Sequence, residues 1–260
     1  MDPGAIALLG LGALGGAVVQ AATGFGFAIV AAPLFLVAMN SHAALQVLVV
    51  VHLVQTVMML RGVWALVPRQ MFKVLVIGAL IGSPLGLLVF MRLDVKALKL
   101  TVGVLILLFT ALLIAREVGW LGRRPPERTA GETGDRTTSQ SPLAYLTGAT
   151  SGAMTALLVM PGPPLMLYLS HAPLQHANAR ALAVSFFGLC YLFVTALNTF
   201  WAGMGEGVWW LALALAPVVY LGTLLGLRLS RYLTQGAFRM AVLVLLVLSG
   251  LGAIISASAG

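Results

Sequence analysis

Charge is what this chain has least of. Among 260 residues there are 15 Lys+Arg and 7 Asp+Glu, or 8% charged against 60% hydrophobic. A soluble domain carries about 25% charged residues, and most of its residues still touch water. A single soluble core is therefore excluded, and lipid must be the solvent for much of the surface. No Asp or Glu falls in the middle of an apolar run, which leaves no carboxylate relay on a helix. There is no P-loop, no His-Glu-x-x-His and no paired Asp within an apolar run, so neither an ATPase nor an intramembrane hydrolase is expected. Cys190 is the only cysteine, which rules out an intrachain disulfide and reads as a small apolar residue. The four histidines show no metal-ligand spacing, and no cofactor is expected. Met1-Asp2-Pro3 lacks a basic leader region, so the apolar run from Ala5 is expected to be a mature segment.

What the chain has is apolar runs. They fall at 5–22, 26–39, 44–60, 71–91 and 97–115, then at 143–159, 163–171, 179–200, 207–227 and 237–258. Several reach the ~20 residues that a helical crossing needs. Between the two sets, residues 116–141 hold Arg123, Arg124, Pro125, Pro126, Glu127, Arg128, Glu132, Asp135 and Arg136, the composition of a solvated linker. The division is thus a first transmembrane repeat at 1–115, a polar linker at 116–141 and a second repeat at 142–260. Gly12, Ala13 and Gly16 match Gly148, Ala149 and Gly152 at an offset of 136. Gly82, Gly86, Leu93, Ala97 and Lys99 match Gly222, Gly226, Leu233, Ala237 and Arg239 at an offset of 140. Internal duplication is the usual plan of secondary transporters.

Positive charge sets the expected topology. An odd number of crossings per half inverts the second half relative to the first. Arg61, Arg69, Lys73, the linker arginines, Arg180, Arg228, Arg231 and Arg239 then share one side, with 12 of the 15 Lys+Arg. That side is cytoplasmic by the positive-inside rule, and both termini lie outside. The +8 net charge is accounted for by loops against an anionic leaflet, and no nucleic-acid partner is expected. Residues 5–39 and 143–171 are each too short for two crossings and too long for one. Each is expected to be a re-entrant or short helical hairpin, followed by three transmembrane helices. The fold class is an all-α integral membrane protein with two inverted repeats.

The hairpin tips are the candidate site. The first reads Thr23-Gly24-Phe25-Gly26 and the second Met160-Pro161-Gly162-Pro163-Pro164. Glycine permits a tight turn or close approach of a ligand, and proline carries no N–H to leave unpaired. A helix beginning after each tip would offer free N–H groups and a partial positive charge to an anion. Broken segments at matching places of two halves point to a transporter site. The expected substrate contacts are Gln20, Thr23, Gly24, Phe25, Gly26 and Phe27 at the first tip, and Pro161, Gly162, Pro163 and Pro164 at the second. His52, the only histidine in mid-run, joins them as a hydrogen-bonding, substrate or proton contact. Gln55, Thr155, Ser185, Thr195 and Asn198 are the other polar residues within the runs, and helix–helix hydrogen bonding accounts for them. His42, His171 and His176 sit near segment ends.

Gln20-Ala-Ala-Thr-Gly-Phe-Gly-Phe-Ala28 followed by Ala32-Pro33-Leu34, together with Gly162-Pro-Pro-Leu-Met-Leu-Tyr-Leu169, resembles the paired signatures of the sulfite exporter TauE/SafE family. The resemblance runs over nearly the whole chain, with Met160-Pro161 standing where glycines are common. It implies transport of sulfite, sulfonates or related anions.

The sequence thus leads to a multi-pass protein of the bacterial inner membrane that is not an enzyme. It is expected to carry a small anion such as sulfite or an organosulfonate by alternating access around two tips at the midplane. A coupling proton or sodium ion and a homodimer are compatible with it. The alternatives are a non-transporting membrane anchor or assembly subunit and an anion channel.

Overall fold

The computed structural model describes residues 2–117, 141–172 and 174–232, with scattered positions between 244 and 256. Among them every regular element is helical. The first half gives α1 (Pro3–Thr23), α2 (Phe27–Met39), α3 (Ala43–Leu60), α4 (Arg69–Phe90) and α5 (Val95–Glu117). The second gives α6 (Pro142–Leu158), α7 (Gly162–Leu169), α8 (His176–Leu197) and α9 (Glu206–Tyr232). A 3-10 turn, Trp64–Leu66, precedes α4, and a π-helical turn, Asn198–Ala202, ends α8. The linker lies almost wholly outside the described residues, as does most of the last apolar run at 237–258. Among the described residues, five helices are long and apolar enough to cross a membrane: α1, α3, α4, α8 with its π turn, and α9 as far as Leu229.

The chain forms two units. One takes in Met1–Gln55, Arg92–Leu121 and Gly203–Gly260; the other takes in Thr56–Met91 and Gly122–Ala202. Each unit draws helices from both sequence halves. In the first, α9 packs on α1; in the second, α4 packs on α6. These are the same pairing made twice, because α4 and α9 are the helices matched at an offset of 140, and α1 and α6 those matched at 136.

Small residues make both pairings close. A β-carbon at Gly82 would collide with the Ala149 backbone, and one at Gly226 with the Val18 carbonyl. Without a hydrophobic force between helices in lipid, such backbone contact is what holds membrane helices together. Gly78, Gly82 and Gly86 meet Tyr145, Ala149 and Ala153 in ascending order, so α4 and α6 run parallel. Gly222 and Gly226 meet Leu14 and Val18 in the same sense, so α9 and α1 also run parallel. On the other face of α4, Ile81, Leu85 and Leu88 are exposed, as residues turned to acyl chains would be.

Candidate functional site

The first unit holds the first hairpin. Gly12, Gly15 and Gly16 of α1 approach Phe35, Val30 and Phe27 of α2 in descending order, so the two arms are antiparallel. Gly24 ends α1 at φ 90°, its N–H donating to the Gln20 carbonyl at 2.7 Å, and Gly26 starts α2 at φ 104°. Both angles lie where a side chain on Cα is strained. A β-carbon on Gly26 would also come within 3.2 Å of Val19. The arms differ in length: 21 residues in α1 and 13 in α2, or roughly 32 and 20 Å at 1.5 Å per residue.

The Thr23 hydroxyl is engaged by the turn itself. It sits 2.8 Å from the Val19 carbonyl oxygen and 2.5 Å from that of Phe25, and it accepts the Phe25 N–H at 3.2 Å. With its one proton donated to a carbonyl of the turn, Thr23 shapes the tip rather than offering a free donor. Phe25 is half-buried and meets Phe109 of α5 edge-on at 6.1 Å.

Behind the tip, α3 lays two polar side chains on α1. His52 Nε2–H donates to Gln20 Oε1, and Gln55 Nε2 donates to the Ala17 carbonyl at 2.9 Å. His52 and Gln55 are three residues apart, as are Ala17 and Gln20, so one face of each helix forms a two-rung ladder. The His52 ring stacks on Phe27, the first residue of α2, at 4.5 Å between centroids. Gln20, His52, Gln55 and Phe27 are all buried. Six sequence-predicted contacts and His52 therefore form one cluster within this unit.

The second unit holds the second hairpin. Val159 ends α6 at φ 60°, with its N–H donating to Thr155 at 2.8 Å, and Pro161 caps the start of α7. A β-branched residue at such an angle is a strained one. Pro161 and Gly162 are buried, and Pro163 and Pro164 half-buried. The Thr155 hydroxyl donates to the Ser151 carbonyl at 2.6 Å. These four predicted contacts form a second cluster, which among the described residues has no bonded histidine–glutamine pair of its own.

The first turns of α2 and α7 differ in what they can donate. In α2 the N–H groups of Phe27, Ala28 and Ile29 have no intrahelical acceptor, and that of Val30 donates to Gly26 at 3.4 Å. In α7 two of the first three residues, Pro163 and Pro164, carry no N–H at all. Gln55 is the cluster residue that the sequence left among mere helix-to-helix contacts; its spacing from His52 was the available signal. The Ser83 and Ser151 hydroxyls, buried where α4 meets α6, lack a hydrogen-bond partner among the described residues. Of the terminal histidines, His42 lies 2.7 Å from the Leu93 carbonyl, while His171 and His176 are exposed.

Compared with known families, residues 8–253 match the model described as Sulfite exporter TauE/SafE. No curated protein and no solved structure gives a significant match.

Proposed function

The chain belongs to the sulfite exporter TauE/SafE family, and from that premise we propose that it carries sulfite or an organosulfonate by alternating access around its two hairpin tips. That it is a multi-pass membrane transporter follows from the family and the five apolar helices. The observation that carries the finer reading is the start of α2: a buried helix end, opened by Gly24 and Gly26, with N–H groups facing no acceptor of their own helix. No Lys or Arg in mid-run is needed to receive an anion there. The second tip is built on the same hairpin plan. Parallel packing in both α1–α9 and α4–α6 supports an odd number of passages per half and hence inversion.

Purified protein in proteoliposomes tests this. Saturable uptake of labelled sulfite or sulfonate with counterflow supports a carrier. Flux that never saturates would make it a channel, and no flux would make it a subunit that only anchors a partner. Topology has its own test. With buried Cys190 removed, a cysteine placed at 123–136 should react from the cytoplasmic side alone; labelling from outside intact cells contradicts the inversion.

A further inference from the structure

Gln20 has no exposed surface, yet only half of its amide is used. Its Oε1 accepts from His52, while its Nε2 has no hydrogen-bond partner among the described residues. A buried amide donor left unpaired is costly unless something arrives to accept from it. Its position says what. The imidazole that fixes Gln20 stacks on Phe27, so the amide lies beside the first turn of α2. There the N–H groups of Phe27, Ala28 and Ile29 also lack acceptors in their own helix, and all three residues are buried. Two independent sets of neutral donors therefore lie in one dry neighbourhood, linked through the His52 ring. Gln55, bonded to Ala17, holds α3 in register so that His52 meets Gln20.

We propose that Gln20 donates its amide N–H groups to a singly charged oxyanion at the start of α2, and that His52 is the positioning residue that holds the amide donor-outward. This rests on the transport reading above and adds the charge state in which the anion is held: a monoanion, such as a sulfonate or hydrogensulfite, and not a dianion such as sulfate. A helix N-terminus supplies only about half a positive charge. Among the described residues the buried cation of this unit, Lys99, is ten residues before Phe109 on α5, or roughly 15 Å along the axis from the residue that touches the tip. A dianion would leave more than a full charge uncompensated in an apolar setting.

The test is calorimetric binding of methanesulfonate and of sulfate to the purified full chain at pH 7, with unfolding temperature recorded for every variant. The parent should bind methanesulfonate at least ~10-fold more tightly than sulfate. Gln20→Met should weaken methanesulfonate by about 10-fold or more, the loss expected of one hydrogen bond to a charged group. Gln20→Glu keeps the acceptor for His52 and should lose binding outright. His52→Phe keeps the ring on Phe27 but removes the donor, and should weaken binding as Gln20→Met does; His52→Gln, which restores a donor, should recover most of it. Parent-like binding in both Gln20 variants overturns the inference. So does equal weakening by His52→Phe and His52→Gln, which would make His52 a packing residue only. So does sulfate binding as tightly as methanesulfonate. Gly26→Ala separates this inference from the wider reading. If it abolishes binding while the Gln20 variants do not, the tip stands and the role of Gln20 falls. If none of these variants affects binding, both fall.

Discussion

The two hairpins are made alike and equipped differently. Each has a longer first arm, a left-handed residue at its end and a shorter second arm, and each packs its first arm on a glycine-spaced helix from the other half of the sequence. The first tip is shaped by glycines and keeps its backbone donors. The second is shaped by Val159 and three prolines, and its first turn is poor in donors. Gln20, His52 and Gln55 back the first tip; at the second, the Thr155 hydroxyl is bonded within its own helix. The same hairpin plan occurs in both halves of the chain. The first helix end is the better furnished of the two for holding an anion.

The largest effect expected from breaking this contrast is at Gly26. An alanine there must adopt a left-handed backbone, at about 1–2 kcal/mol, and crowds Val19. Gly26→Ala should reduce anion affinity by ~10–150-fold, the range for a lost hydrogen bond to a charge. Gly162→Ala, at the matching place, should stay below ~10-fold. Equal losses in equilibrium binding would make the two tips equivalent. Next comes Thr23→Val, which frees the Phe25 N–H and carbonyl. Loosening worth about 1 kcal/mol should weaken binding roughly fivefold. It should also speed amide exchange at Phe25; an unchanged exchange rate would mean that the hydroxyl does not hold the turn. The smallest effect is expected at Val159→Gly. Relief of the left-handed valine, about 1–2 kcal/mol, offsets most of the ~1.5–3 kcal/mol lost with its buried side chain. Thermal unfolding should therefore shift by only a few degrees, whereas a large drop would show that no strain is stored there.

Much of this was legible in the sequence, because glycine, proline and charge punctuate a membrane chain strongly. The order of the segments and both hairpin breaks follow from that punctuation. Helix ends were displaced by up to five residues: α9 continues to Tyr232, where the apolar run ends at 227, and α8 begins at His176, where the apolar run begins at 179, because these end turns are polar. The sequence also showed that Gly82 and Gly222 are matched, but not what they touch, since pairing between helices leaves no local signal. Gln20 and His52 are 32 residues apart, and only folding brings them to one bond. Thr23 read as a free donor because a hydroxyl's local carbonyl partners depend on the turn that it helps to form.

The account's central claim, that the anion is held by the first tip and its neutral donors, can be seen directly. An experimental structure with 2-bromoethanesulfonate bound should place the sulfonate within hydrogen-bond reach of the Gln20 amide and the Phe27–Ile29 N–H groups, with the bromine marking its orientation. Density for the ligand at the second tip alone, or on Lys99, would contradict it.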